Sequence, residues 1–247
     1  MRGPRRLRTA AAILTLTTAL VACSGSEPTV DLSGSRVVTF DAADGVHLEG
    51  RLFGHGSSAV VLSHMRPADQ RSWFAFADRL AEDGYLVLTY DFRGYCPGGE
   101  GGCSDGERDV GAMWQDVLGA VDFVRSRGAA SVSLVGASMG GTASLVAASR
   151  EGVDARAVIT LSAPASIEGL VADAPLLSQI TVGKLFVAGV GDAAAAQDAQ
   201  TLYDSSPPPK RIEILPADDH GTDLLTGGQG EVVRRLIETY LEQTGGP

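Results

Sequence analysis

Three residue types that together support nucleophilic catalysis occur in a fixed order along the chain. Ser138 lies in the sequence Gly-Ala-Ser-Met-Gly, Asp192 comes later, and His220 lies in Leu-Pro-Ala-Asp-Asp-His. A serine hydroxyl is a poor nucleophile at neutral pH and needs a histidine to accept its proton, while a carboxylate holds the imidazole in the required tautomer. The three residues therefore predict acyl transfer through a covalent intermediate.

The G-x-S-x-G pattern occurs twice, and its context favours Ser138 over Ser104. The chain has 31 glycines, so the pattern alone carries little weight. A nucleophile elbow needs a buried strand before the serine and a helix after it. Residues 131–135 (SVSLV) predict that strand, and residues 141–148 (GTASLVAA) predict that helix. Ser104 follows a Gly/Pro loop instead, and we expect it to cap a helix that begins near residues 107–108.

Position along the chain selects the base and the acid. Of the four histidines, only His220 follows Ser138, and it lies in a loop after a predicted strand. Asp192 is the preferred acid because it follows the predicted strand at 184–188, where a side chain can project from the carboxyl edge of a sheet. Three other carboxylates remain alternatives: one in a predicted surface helix and two beside the histidine, namely Asp198, Asp218 and Asp219.

Short apolar runs alternate with longer segments of helical periodicity, which predicts an α/β fold with a mainly parallel eight-stranded sheet and helices on both faces. The predicted strands are 36–40, 46–53, 59–63, 86–90, 131–135, 157–161, 184–188 and 211–215, and the predicted helices are 70–82, 108–127, 139–150, 193–203 and 231–243. The first two strands alternate with period two, which predicts an antiparallel hairpin around Asp44-Gly45. Only about twenty residues, 162–183, separate the sixth and seventh strands, so we expect no large lid domain.

The N-terminal residues have the layout of an export signal, with four arginines and then an apolar run that ends at Cys23. Residues 20–23 (LVAC) resemble a bacterial lipobox, in which the cysteine is lipidated and becomes the new N-terminus. The apolar run is too short to span a bilayer, which needs about 20 residues. We therefore expect export, by a route that stays open, and a lipid anchor on the outer face of the bacterial cell membrane. The expected organisation is a signal peptide at 1–22, a flexible tether at 23–35 and one folded domain at 36–247.

The net charge limits the possible partners. Removal of residues 1–22, which carry four Arg and no acidic residue, leaves 16 basic and 30 acidic residues and a net charge of −14. A charge of that sign repels nucleic acid and anionic lipid headgroups. We expect no nucleic-acid partner, contact with the membrane only through the lipid anchor, and a monomer.

Two cysteines, Cys96 and Cys103, flank a Gly/Pro-rich loop. An oxidising exported setting and a flexible loop predict a disulfide between them. A metal site is the alternative, but the histidine closest in sequence is His64, so we expect no metal.

Taken together, the serine, the aspartate and the histidine at predicted strand ends resemble the α/β-hydrolase family over the whole domain 36–247. Its size and lipobox are most similar to the small dienelactone-hydrolase-like esterases of bacteria. Two further segments carry the resemblance: residues 60–65 (VVLSHM) are similar to the family's strand that ends in His-Gly, and residues 86–94 (LVLTYDFRG) are similar to its D-x-R-G turn.

The resemblance implies that the backbone N–H groups of Met65 and Met139 bind the oxyanion. Met65 stands where the family usually has glycine, and we expect its side chain to crowd or line the acyl pocket if its φ stays negative. True dienelactone hydrolases have a cysteine at the position of Ser138, so the resemblance implies ester hydrolysis and leaves lactones in doubt.

Two residues in these segments have structural interpretations. We expect His64 to form a hydrogen bond within the oxyanion loop. We also expect Asp91 to pair with Arg93 and hold the D-x-R-G turn.

The sequence thus predicts a serine hydrolase that acts on small or surface-presented carboxylic esters or thioesters without a cofactor. Thioesterases, peptidases and acyltransferases use the same residues, because specificity depends on the shape of the pocket. A second hypothesis is an inactive hydrolase-fold lipoprotein that serves as a binding or cell-envelope module. The unusual Met65 is the feature that supports it.

Overall fold

A computed structural model describes residues 1, 3, 30–96 and 103–247 of the chain. The predicted signal peptide, the lipidation site at Cys23 and the first part of the predicted tether lie outside the described residues. In the part of the chain that is described, no helix combines the length and the apolar character needed to cross a membrane.

Within the described residues, eight strands form one sheet and two short strands form a separate hairpin. The strands are Ser35–Asp41 (β1), His47–Phe53 (β2), Ser58–Ser63 (β3), Leu86–Tyr90 (β4), Ser131–Ala137 (β5), Ala157–Leu161 (β6), Ser166–Ile167 (β7), Leu170–Val171 (β8), Gly183–Gly189 (β9) and Lys210–Leu215 (β10). The order across the sheet is β1-β2-β4-β3-β5-β6-β9-β10. Strands β3, β4, β5, β6, β9 and β10 are parallel, while β2 pairs antiparallel with β1 and with β4.

The pattern of burial explains why the strands could be predicted. Strands β3, β4 and β6 are buried over their whole length, as expected for parallel strands covered on both faces. Strand β1 lies at the edge and exposes alternate residues. All eight predicted strands and the predicted β1–β2 hairpin are confirmed.

Helices cover both faces of the sheet. Over residues 30–96 and 103–247 the α-helices are Phe74–Glu82 (α1), Met113–Ser126 (α2), Met139–Ala148 (α3), Ala174–Leu177 (α4), Ala193–Ser205 (α5) and Gly230–Gly245 (α6). Helices α2, α3 and α5 contribute to one apolar core, and α1 and α6 contribute to the other. The predicted start of the second helix at residue 108 is wrong, because α2 begins at Met113 after a short 3-10 turn at Val110–Ala112.

The segment between β6 and β9 is small, as predicted. It contains the β7–β8 hairpin and the single turn of α4. Because β5, β9 and β10 are parallel, their carboxyl ends meet at the edge of the sheet next to this segment, and the loops that follow them carry Ser138, Asp192 and His220.

Candidate active site

Ser138 lies in a strained turn between β5 and α3. Its φ of 47° and ψ of −120° place a non-glycine residue in a sparsely populated region of backbone conformation, which costs on the order of 1–3 kcal/mol. Its N–H donates to Leu161 O at 2.8 Å. The turn leaves the serine half-buried at the N-terminus of α3, where the positive end of the helix dipole favours negative charge.

Two glycines allow the turn to pack closely. A Cβ on Gly136 would collide with the backbone of Gly140, and a Cβ on Gly140 would collide with the carbonyl groups of Ser63 and His64. The start of α3 is therefore seated directly on the end of β3. Larger residues at these two positions would push Ser138 away from the loop that follows β3.

Asp192 and His220 form a hydrogen bond across the carboxyl edge of the sheet. His220 Nδ1 lies 2.5 Å from Asp192 Oδ2. Asp192 begins α5, where its other carboxylate oxygen accepts from Ala195 N at 3.4 Å, so the helix start orients the carboxylate. The structure thus brings together two residues that are 28 positions apart in the chain.

The other candidate carboxylates do not bond to His220. Asp198 lies in the middle of α5, one turn and more beyond Asp192. Asp218 packs against Gly191, and Asp219 packs against Gly227. Asp218 and Asp219 therefore pack against neighbouring loop glycines, whereas Asp192 contacts the imidazole ring.

Ser138 and His220 are adjacent without a direct bond. A Cβ on Gly221 would lie 3.4 Å from Ala137 Cβ, so the residues next to the serine and next to the histidine pack together. Ser138 Oγ forms no hydrogen bond within 3.5 Å to any described residue. Catalytic hydrogen bonds in unliganded enzymes are often long and tighten in the substrate complex.

The loop after β3 presents a free backbone donor. The Met65 N–H forms no hydrogen bond with the described residues, and φ of Met65 is not positive. Met139 is the first residue of α3, so its N–H has no acceptor within the helix. Both amides predicted to bind an oxyanion therefore lie at the two sides of the contact between β3 and α3.

His64 fixes the peptide that follows it. The ring is fully buried, with Nδ1 2.8 Å from Met65 O and Nε2 3.1 Å from Phe92 N. Because Phe92 N–H must donate, Nε2 is the acceptor and Nδ1 carries the proton. Burial lowers the pKa of His64 to about 4, so the ring is neutral at physiological pH. The predicted hydrogen bond of His64 within this loop is confirmed.

The Met65 side chain packs beside the histidine loop. It is only 6% exposed, and its Sδ packs against Gly221, next to His220. The side chain therefore fills the space between the loop after β3 and the histidine loop. Its place relative to an acyl group stays a prediction.

Ser104 has a structural role that differs from the predicted one. It is buried, its Oγ donates to Asp91 O at 2.6 Å, and the same oxygen accepts from Glu49 N at 3.0 Å. It caps no helix, because the 3-10 turn that precedes α2 has Asp109 at its N-cap. Ser104 instead joins the ends of β2 and β4, which contradicts the capping prediction.

The predicted pair of Asp91 and Arg93 is also wrong. Arg93 binds Asp116 in α2, with its Nη2 2.6 Å from Oδ1, and Asp44, with its Nη1 2.8 Å from Oδ2. Asp91 accepts instead from the backbone and side-chain nitrogens of Gln70, at 2.9 and 2.8 Å. Asp91 therefore contacts the residue that begins the 3-10 turn before α1, whereas Arg93 contacts α2 and the loop between β1 and β2. Burial raises the pKa of Asp91 to about 6.

The sequence offered two alternatives for Cys96 and Cys103, a disulfide and a metal site. A disulfide joins Cys96 and Cys103, which brings their Cα atoms to 4.2 Å. Among the described residues, no group of three or more His, Cys, Asp or Glu side chains could hold a metal ion.

Sequence reasoning missed one ion pair near the site. Arg66 Nη2 lies 2.6 Å from Glu168 Oε1, between the loop after β3 and the β7–β8 hairpin. The signal that could have found the hairpin is Glu168-Gly169 between Ile167 and Leu170, since glycine at the second position favours a two-residue hairpin turn.

The sheet order, the serine turn at the end of β5 and the Asp192–His220 pair define an α/β hydrolase. Residues 54–219 match the family described as serine aminopeptidase, S33. This chain belongs to that family of hydrolases, since the match spans well over half of its length. No curated protein sequence matches the chain.

Several solved structures share the fold at low sequence identity. The esterase Pf2001 of Pyrococcus furiosus is 16% identical with a TM-score of 0.70, over 85% of this chain and 92% of that one. A dienelactone hydrolase from Anabaena variabilis is 18% identical with a TM-score of 0.68, over 85% and 98% of the two chains. A thermophilic esterase from Thermogutta terrifontis is 17% identical with a TM-score of 0.66, over 85% and 99%.

Proposed function

We propose that this protein is a serine esterase in which Ser138 is the nucleophile, His220 the general base and Asp192 the residue that orients the histidine. The observation that carries the proposal is the Asp192–His220 hydrogen bond, formed at the same sheet edge as the strained serine turn. The esterases among the structural neighbours support the same reaction class.

The hydrogen bond at 2.5 Å assigns the proton on the imidazole. Ionised Asp192 has no proton to donate, so His220 Nδ1 carries the hydrogen and Nε2 is left as the basic nitrogen. Nε2 accepts the Ser138 proton as Oγ forms a bond to the ester carbonyl carbon, and the imidazolium that results is stabilised by the carboxylate. His220 then gives this proton to the leaving alkoxide as the carbon–oxygen bond breaks.

The negative charge that develops on the carbonyl oxygen needs donors that are already in place. The N–H groups of Met65 and Met139 supply two, and loss of one such donor typically costs about 3–4 kcal/mol of transition-state stabilisation. A water molecule then attacks the acyl-enzyme, with His220 again as the base, and releases the carboxylic acid. The chemistry needs no cofactor.

The substrate is proposed to be a small or surface-presented ester. The segment at 162–183 is short, Ser138 is half-buried and the His220 side chain is 42% exposed, so the reacting groups are reached from solvent. Thioesters and amides with compact acyl groups fit the same chemistry. A panel of p-nitrophenyl esters, acyl thioesters and aminoacyl p-nitroanilides distinguishes an esterase from a thioesterase or an aminopeptidase.

The decisive experiment compares Ser138→Ala with wild-type protein on short p-nitrophenyl esters. We expect a loss of at least about 10³-fold in kcat, because the nucleophile is removed. Ser104→Ala is the matched control, since it removes a hydroxyl from the second G-x-S-x-G sequence. Equal rates for wild type and Ser138→Ala would show that the proposal is wrong.

A fluorophosphonate probe tests activation of the serine independently of the substrate. Labelling at Ser138 requires a base that deprotonates the hydroxyl, so an inactive binding module would remain unlabelled. We expect labelling of wild-type protein and of Ser104→Ala, and none of Ser138→Ala.

We also propose that the protein is exported and held at the outer face of the bacterial cell membrane by lipid on Cys23. The support is the sequence of the export signal and the LVAC segment. In detergent phase partitioning of whole-cell extracts, wild-type protein is expected in the detergent phase. Cys23→Ser is expected in the aqueous phase or as unprocessed precursor, and recovery of both proteins in the aqueous phase would contradict the anchor.

A further inference from the structure

Glu168 makes a contact that links the β7–β8 hairpin to the loop carrying Met65. Its Oε1 lies 2.6 Å from Nη2 of Arg66, the residue directly after Met65. We propose that Glu168 is a positioning residue for the hydrolysis: by holding Arg66 it fixes the Met65 N–H relative to the Met139 N–H. This inference rests on the proposed function and extends it to a residue outside the reacting groups.

Glu168 occupies a strained backbone conformation. Its φ is 41° and that of Gly169 is 95°, so both central residues of the two-residue turn are left-handed. Asparagine, aspartate and glycine are the usual residues at the first of these positions, because other side chains are strained at positive φ. Glutamate is poorly suited to the turn, but its carboxylate reaches Arg66. The strain therefore accompanies the contact across to the loop.

The hairpin is firmly attached to the helix that carries the other oxyanion donor. Leu170 is 1% exposed, in the core that also contains residues of α3. Thr142 in α3 donates to Pro164 O at 2.7 Å, just before the hairpin. Gly169 packs so closely on Gly111 that a Cβ would lie 3.2 Å from the Gly111 Cα. Glu168 is thus fixed in position relative to α3 and Met139.

Buried contacts also hold the loop after β3. His64 bonds to the Met65 carbonyl, and the Met65 side chain packs against Gly221. On the solvent side, Glu168 is the acidic group within 4 Å of the Arg66 side chain among the described residues. Removal of the carboxylate therefore frees the loop on one side while the buried contacts remain.

The exposure of the pair predicts which property it affects. Arg66 is 43% exposed and Glu168 is 54% exposed, and such solvent-screened surface pairs contribute little to stability. A small displacement of an oxyanion donor, by contrast, acts directly on the transition state. The effect of Glu168 should appear in kcat and hardly in the free energy of unfolding.

The test uses the purified full-length protein with p-nitrophenyl acetate, comparing wild type with Glu168→Gln and Glu168→Asn. We expect kcat to fall about two- to fivefold with KM nearly unchanged, since the donor is misplaced without loss of substrate binding. Asparagine suits the turn, so Glu168→Asn should be at least as stable as wild type while losing activity. The double variant Arg66→Glu with Glu168→Arg should recover most of the rate.

A matched control is available on β10. Arg211 and Glu213 form an ion pair of the same 2.6 Å length, with 44% and 33% exposure, on the edge strand of the large sheet and outside the hairpin. Glu213→Gln should leave kcat unchanged. Salt at about 0.5 M, which screens exposed pairs, should lower kcat of wild type toward that of Glu168→Gln and leave the variant unaffected.

Three results would overturn the inference. Wild-type kcat in both Glu168 variants would show that the contact has no role in positioning. A change in KM confined to esters that carry a carboxylate, with unchanged kcat, would show that Arg66 binds substrate instead. Absence of Ser138-dependent hydrolysis in wild-type protein would overturn the proposed function and this inference with it, whereas the first two results leave the proposed function intact.

Discussion

Met65 Sδ lies 2.5 Å from the position that a Cβ on Gly221 would take, so the Met65 side chain packs the loop after β3 against the loop that carries His220, in the space left by the glycine. Gly221 also has a φ of 56°. It follows His220 directly, so a change in its conformation would move the residue that bonds to Asp192. A glycine at residue 221 suits the site for two reasons. It leaves space for the Met65 side chain, and it adopts the positive φ without strain.

Gly221→Ala is expected to lower both stability and activity. The positive φ and the collision with Met65 together should cost about 2–4 kcal/mol in the free energy of unfolding, measured by chemical denaturation. Gly228→Ala is the control, because no atom lies within 4 Å of a Cβ there. The double variant Met65→Ala with Gly221→Ala should recover only the steric part. Full recovery would show that φ at residue 221 is unimportant.

Asp192→Asn is expected to preserve the fold and to lower kcat by roughly 10³–10⁴-fold, because an amide can bond to the wrong tautomer of His220. Steady-state kinetics with p-nitrophenyl acetate measures the change. Asp198→Asn provides the comparison in the same helix and should retain wild-type kcat. If the Asp198 variant lost activity and the Asp192 variant kept it, the assignment of the acid would be reversed.

Ser104→Ala is expected to lower the free energy of unfolding and to leave kcat unchanged, which distinguishes the second G-x-S-x-G sequence from the one at Ser138. The hydroxyl bridges Asp91 O and Glu49 N in a buried place, so its removal leaves both unsatisfied and should cost about 1–3 kcal/mol. The folded variant should keep wild-type kcat and fluorophosphonate labelling. A large loss of kcat at full stability would be the opposite of the expected result.

Because of Lys184, the free energy of unfolding should vary with pH in the alkaline range. Its buried Nζ donates to Ile180 O and Val182 O, both at 2.7 Å, and has no acidic partner within 4 Å among the described residues. Burial, with a smaller contribution from Lys210, lowers the pKa of Lys184 from 10.5 to about 8. The folded protein therefore releases this proton at lower pH than the unfolded chain does.

The free energy of unfolding should accordingly rise as the pH increases from about 8 toward 10.5. The slope from this one group is at most about 1.4 kcal/mol per pH unit. Urea denaturation of wild type and Lys184→Met over this range measures it as the difference between the two curves. Parallel curves would mean that Lys184 does not titrate there.

The elements of the fold could be predicted because they depend on local properties of the chain. Buried strands such as β3 and β6 are continuous apolar runs, and the turn at Ser138 is marked by glycines within two residues of it. The order of serine, acid and histidine is likewise a property of the sequence. These features are expressed over a few residues, so periodicity and residue type are sufficient to find them.

The pairing of charged residues was decided only by the tertiary structure. Arg93 binds Asp116 and Asp44 rather than its neighbour Asp91, and Glu168 binds Arg66 across 102 positions. The chain has 30 acidic residues, and proximity in sequence does not indicate which of them an arginine or histidine will meet. That depends on which elements the sheet places side by side.

The site shows the same division. The sequence by itself determined that Ser138 follows a strand and that His220 is the only later histidine, and it favoured Asp192 among several candidate carboxylates. Only the tertiary structure brought the Asp192 carboxylate to the His220 ring and turned the Met65 side chain toward Gly221. The physical reason is that backbone propensities act locally, whereas side-chain direction and partner depend on close packing between elements that are distant in sequence.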